Sequence, residues 1–277
     1  MILLHFAVIA AYALAAWSLW PAAQPAMAAA SSAPSPTWRF PSGAAMWLMP
    51  LAIALHALLA ARTIATPTGF DVSLGNAMSV VAGLAAALAW LSGLLKTMPA
   101  IGTIVLPVAA AGSLLPALMR NVHRFAYADE PWAAIHVAVA LVAYALLIVA
   151  AVQALLLMGF EKRLHRRLTD PQAETLPPLL TLEQFLFRLV GAGFALLTVT
   201  LVTGIVFSEQ IFGRPLVFSH KSVFSVLGWL TFGALLWGRW RYGWRGRVAL
   251  RWIIAGTVFV LLAYLGSKFV LEVLLGR

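Results

Sequence analysis

Six histidines carry most of the chemistry available to this 277-residue chain. Five of them, His5, His56, His123, His136 and His220, fall near one end of its apolar segments. Neutral imidazole is a good ligand for haem iron, zinc or copper through its unprotonated nitrogen. Five histidines at one membrane face therefore point to a site for a metal or a metal-bearing cofactor. No two of them have HxxxH spacing, so any ligand set has to be assembled from separate helices. Other chemistries are poorly supplied. The chain has no cysteine, which excludes disulfides, CxxC redox chemistry, cysteine-ligated Fe–S clusters and covalent haem attachment. No CxxCH, Walker A, HExxH or GxSxG pattern occurs. The expectation is a binding protein and not an enzyme.

The elements that must position these side chains are membrane spans. The chain is 62% hydrophobic and 10% charged, against roughly a quarter charged in soluble domains. Eight apolar stretches suit a ~30 Å hydrocarbon core, at roughly 2–20, 44–62, 76–96, 101–119, 133–158, 185–206, 222–238 and 250–271. The fold class expected is all-α: a polytopic transmembrane helical bundle forming a single integral membrane domain, 1–277. It divides into N-terminal spans (1–125) and a core (130–277). The net charge of +10 reads as orientation and anionic lipid contact, with no nucleic acid as partner. Two connections are strongly basic: Lys162, Arg163, Arg166 and Arg167, then Arg239, Arg241, Arg245, Arg247 and Arg251. The positive-inside rule puts both in the cytoplasm and both termini on the outer (periplasmic) side.

Span 1 is read as a retained helix. Ala26-Met27-Ala28 resembles a cleavage site, but no basic residue precedes the apolar run. In span 6, Pro177 and Pro178 stop what precedes, and Thr181 to Gln184 has capping-box spacing. Arg188 is read as snorkelling to the headgroups. Gly191, Gly193 and Gly204 are read as helix-packing positions. Lys268 and Glu272 are spaced as a local ion pair. Trp132, Trp229, Trp237, Trp240, Trp244 and Trp252 are read mainly as an interfacial belt.

With this topology His5, His136 and His220 lie at outer helix ends, His123 lies in an outer loop, and His56 lies in the outer half of the bilayer. A buried His56 needs a hydrogen-bond or metal partner. His5 and His123 are read as interfacial polar residues or interhelical hydrogen-bond formers, and His165 as solvated among the cytoplasmic charges. Phe207, Phe212 and Phe218 are candidates to stack on a cofactor held outside.

From span 5 onward the sequence is similar to a known family. WAAIHVAVALVAYALLIVAAVQALLL, TLEQFLFRLVGAGFALLTVTLVTGIVFSEQIFG, FSHKSVFSVLGWLTFGALLWGRWRYGWRGR and AGTVFVLLAYLGSKFV together resemble consecutive helices of the cytochrome c assembly (CcsA/HemX-like) membrane proteins. The likeness is best over residues 130–270 and looser before them, and it lies nearest an inner-membrane branch. In that family an outer Trp-rich segment with a WDPKE core receives haem, and flanking histidines ligate the iron. The resemblance thus implies a haem site around His136, which matches the family's histidine position. Where the Trp-rich segment belongs, this chain has FGRPLVFSHKSVFS, in which Lys221 alone keeps the motif's lysine. The family's LHTR histidine is replaced by Trp237.

The expected function is haem handling in a multi-pass protein of the bacterial inner membrane, related to cytochrome c assembly, with haem bound or presented at the outer face. The ligands expected are His136, then His220 as second axial ligand, then His56 within the membrane. The partners implied are membrane lipid and a haem-protein or assembly partner. The competing reading is a regulatory or scaffolding protein without haem, docking a partner through its basic cytoplasmic loops.

Overall fold

The computed structural model describes residues 1–19, 44–66, 69–71, 73–94, 101–119, 131–166, 179–212 and 220–266. Helices account for nearly all of them. In chain order these are α1 (Ile2–Leu19), α2 (Ala44–Ile64), α3 (Leu74–Leu94), α4 (Ile101–Gly112), α5 (Leu115–Leu118), α6 (Pro131–Arg166), α7 (Leu179–Phe212), α8 (His220–Tyr242) and α9 (Gly246–Leu261). A π-helical turn, Leu262–Gly266, continues α9. Six of these helices are long and apolar enough to cross a membrane, and two shorter apolar segments, Ile2–Ser18 and Ile104–Leu118, complete the eight expected spans. The chain is a polytopic all-α protein.

Several boundaries differ from expectation for local reasons. The fourth span is broken after Gly112. Pro116 has no N–H to return to the Gly112 carbonyl, so the helix tightens at Leu114, whose N–H bonds Ala111 O at 3.1 Å. The sixth span starts at Leu179, immediately after the two prolines, so Thr181 is a third-residue position and not an N-cap. The basic stretch at Lys162, Arg163 and Arg166 is not a loop. It belongs to α6, a 36-residue helix that is ~54 Å long and outreaches the ~30 Å core. A two-stranded ribbon, Ala65–Thr66 against Gly69–Phe70, lies between α2 and α3. It is fastened by Asp71 N–H to Ile64 O at 2.9 Å and by Asn76 Nδ2 to the carbonyls of Asp71 (3.1 Å) and Thr63 (3.3 Å).

The helices pack as two groups. α1 lies against α2 and α4, and α3 against α2, α4 and α5. α6 packs on α7 and α9, and α8 on α7 and α9. α6 joins the groups by touching α3 and α4. Close approach of α6 and α7 depends on Gly193, where a Cβ would stand 2.7 Å from Leu147 Cδ2. Gly191 meets nothing within 4 Å, so only part of the expected glycine packing holds. Between α3, α4, α6 and α9 these small side chains leave a cavity of about 380 Å³, walled by Ala82, Ala85, Val105, Gly112, Tyr144 and Tyr264. Long-range bonds set helix direction. His5 ties the start of α1 to Ser113 past the end of α4, and His136 ties the start of α6 to Thr203 near the end of α7. Arg239 ties the end of α8 to Glu183 near the start of α7. The helices alternate in direction, which places His5, His136 and His220 at one end and the Arg239–Arg251 turn at the other.

Candidate functional site

Pro131 opens α6 at a position where its missing N–H costs nothing. His136 follows, half-buried, on the face toward α7. Its Nδ1 lies 2.7 Å from Thr203 Oγ1. That hydroxyl donates to Val199 O at 2.7 Å, with Thr200 O at 3.2 Å. With the hydroxyl hydrogen on Val199 O, Nδ1–H is the donor to Thr203, and in that tautomer Nε2 keeps its lone pair. Among the described residues none bonds Nε2. A bond from one ring nitrogen of this kind orients the other.

The surroundings leave room at that ring. Gly204 follows Thr203, and a Cβ there would sit 3.5 Å from His136 Cε1. Phe207, one turn beyond Thr203, presents its ring edge-on with centroids 6.1 Å apart. The Lys221 ammonium, at the start of α8, is close enough to act on the His136 charge. His220 is the first residue of α8 and is exposed. The connections 120–130 and 213–219 lie outside the described residues, and with them His123, Phe218 and the side chain of Phe212.

A second histidine centre lies in the N-terminal group and is sealed. His56 is 1% exposed. Its Nδ1 is 3.0 Å from Tyr12 Oη, and its Nε2 is 2.9 Å from Ser79 Oγ. Gly83 gives the ring space, since a Cβ there would stand 3.3 Å from Nδ1. Both ring nitrogens are engaged, so iron has no nitrogen to bind without breaking a buried hydrogen bond. The intramembrane ligand role expected of His56 would require one of these two bonds to break. His5, read as an interfacial polar residue or an interhelical hydrogen bond, makes the latter: it is 7% exposed and donates Nδ1–H to Ser113 O at 2.7 Å.

Other placements also differ from the sequence reading. Trp229 is not in an interfacial belt. It lies mid-helix in α8, where its Nε1–H donates to Thr198 Oγ1 at 2.9 Å and its ring stacks on Phe194 at 5.7 Å. Trp132, Trp237 and Trp240 are exposed, whereas Trp244 and Trp252 pack on one another at 5.4 Å. Arg188 is exposed on α7. His165 belongs to the end of α6. Lys268 and Glu272 lie outside the described residues. Thr203, Tyr12 and Ser79, which decide what the histidines can do, have no marker in the sequence, because threonine, tyrosine and serine are ordinary in membrane helices. Among the described residues no three His, Asp or Glu side chains group as a metal cage.

Fold and site together define a multi-pass helical membrane protein with a histidine held by a threonine at one bundle end. The chain belongs to the cytochrome c assembly family, whose profile, described as Cytochrome C assembly protein, matches residues 43–275. It is 33% identical over 177 residues to the inner membrane protein YpjD of Escherichia coli, covering 62% of this chain and 66% of that one. It is 28% identical over 177 residues to the cytochrome c biogenesis protein CcsA of Chlamydomonas reinhardtii, covering 63% and 46%. To CcsA of Thermosynechococcus vestitus it is 26% identical over 209 residues, covering 61% and 66%. The chain thus spans just under two thirds of the first of these relatives. No solved structure matches it. α1, with His5 and Tyr12, precedes the matched region.

Proposed function

We propose that this protein handles haem during cytochrome c assembly in the bacterial inner membrane, binding or presenting it at the outer face without catalysing a covalent change. The observation that carries this reading is the Thr203-held His136, with Nδ1–H committed at 2.7 Å and Nε2 left with its lone pair. His136 would hold the haem iron through Nε2, and Phe207 stands edge-on beside its ring. His220, exposed at the start of α8, supplies the second ligand. Lys221 brings a cation to the same end, suited to a haem propionate. Haem contributes the iron and the porphyrin; the chain orients the imidazole and holds the group near the surface.

The positive-inside rule supplies the orientation. By that rule the exposed Arg241, Arg245, Arg247 and Arg251 belong to the cytoplasmic end, and the opposite end, with His136, faces outward. The test is the absorption spectrum of the purified full chain with haem supplied. A Soret band that is lost in the His136→Ala/His220→Ala double variant is the expected result. A band unchanged in that variant rejects these ligands.

A further inference from the structure

At the end opposite the histidines, the turn between α8 and α9 is locked. Arg239 Nη1 donates to Glu183 Oε1 at 3.0 Å and to Trp244 O at 3.4 Å, and its guanidinium lies 3.9 Å from the Phe187 ring centroid. Glu183 Oε1 also accepts from Gly246 N–H at 3.2 Å. Gly243 and Gly246 have φ of 66° and 56°, a left-handed conformation that side chains resist. Gly238 carries no Cβ because Trp244 packs into its place. Trp252 backs Trp244 from α9. The turn is therefore a rigid platform.

Glu183 neutralises one arginine of this platform. Arg241, Arg245, Arg247 and Arg251 remain exposed, and among the described residues no carboxylate pairs with them. Below them, along α8, runs an open groove of about 410 Å³ whose walls include Trp229, Gly233, Trp237, Gly238, Tyr242 and Trp244. From Trp229 to Tyr242 it follows ~20 Å of helix at 1.5 Å per residue. One leaflet of a ~30 Å core is ~15 Å deep. The groove thus extends from mid-membrane to the interface, and Arg241 and Arg245 adjoin Tyr242 and Trp244 at its mouth.

We propose that this groove is a binding site for one anionic phospholipid. An acyl chain lies along Trp229, Gly233 and Trp237, and the headgroup phosphate is held by Arg241 and Arg245. Apolar length and unpaired positive charge meet at one place, and only an amphiphile with an anionic head satisfies both. Guanidinium suits the phosphate because its planar fork offers paired donors. An acidic soluble partner matches the charge but leaves the groove, at hydrocarbon depth, unexplained.

The full chain, reconstituted in phosphatidylcholine nanodiscs, allows a direct test. A minor fraction of phosphatidylglycerol with brominated acyl chains quenches tryptophans it touches. Saturable quenching that exceeds that from an equal fraction of brominated phosphatidylcholine is expected. Arg241→Gln and Arg245→Gln should each lower the preference about fivefold, the equivalent of ~1 kcal/mol per charge. Ala234→Trp, which fills the groove and keeps both arginines, should remove the saturable part. Each preference is a ratio measured within one variant, so partial misfolding does not imitate the result. Equal quenching by the two lipids overturns the proposal, as does a preference that survives both kinds of variant. Displacement of the brominated lipid by inorganic phosphate alone overturns it too, because the site then recognises a free anion and not a lipid.

Discussion

The two histidine centres lie toward the same end of the bundle and are built to opposite purposes. His56 is enclosed in the N-terminal group with a hydroxyl at each ring nitrogen. His136 sits half-exposed in the C-terminal group with a hydroxyl at one nitrogen. A buried polar group in a membrane must have its partners, because no water is there to supply them. At His56 that requirement is fully met, and the histidine becomes a structural cross-link among α1, α2 and α3. At His136 the requirement is met on one side, and position at a helix end lets the other side remain open. Histidine content alone does not distinguish these cases; the partners of each nitrogen do. His5 falls between them, bonded through Nδ1 to a carbonyl in a side chain that is 7% exposed.

The contrast can be broken by variants with effects of different size. His56→Ala removes a ring and strands two hydroxyls, so the loss should be about 3–5 kcal/mol of stability. Thermal unfolding in detergent measures it, and haem capture per folded molecule should stay unchanged. Thr203→Val keeps the shape at His136 but removes the acceptor that fixes its tautomer. Haem affinity should fall about 10–100-fold, as for other partners of metal ligands, with little change in unfolding temperature; haem titration reads it.

Ser79→Ala is the sharpest probe of the sealed centre. It frees Nε2 of His56 at a cost of about 1–2 kcal/mol in the membrane. If an unbonded nitrogen were enough for ligation, the His136→Ala background would regain a Soret band; burial of the ring predicts that it does not. Trp229→Phe, on α8, serves as the control for a back-bonded threonine of α7. It deletes a bond to Thr198, which is bonded back to Phe194 O as Thr203 is to Val199 O. The expected loss is about 0.6 kcal/mol of stability, without an effect on haem.

Much of the fold can be read from the sequence, because apolar length and proline position act locally. The eight spans are found, and the departures trace to Pro116 and to the prolines before Leu179. What each helix packs against is not readable. A helix apolar on all sides has no polar face to show which side meets a partner. His5 and Ser113 are 108 residues apart, and Tyr12 and His56 are 44 apart. Those separations are closed only by the packing of α1 on α2 and α4. His136 was identifiable from the family's helix pattern, but its orientation depends on a back-bonded threonine that no motif marks. Trp229 was misplaced because tryptophan is common at membrane interfaces, whereas here a threonine hydroxyl inside the bundle satisfies its N–H.

The central claim is that His136, and not His56, is the histidine available to iron. The most direct measurement is the Soret band of the full chain, purified with haem supplied, beside its His136→Ala and His56→Ala variants at equal folded concentration. The expected result is a band in the parent and in folded His56→Ala, and its loss or a large shift in His136→Ala. A band that survives His136→Ala and disappears in folded His56→Ala contradicts the claim.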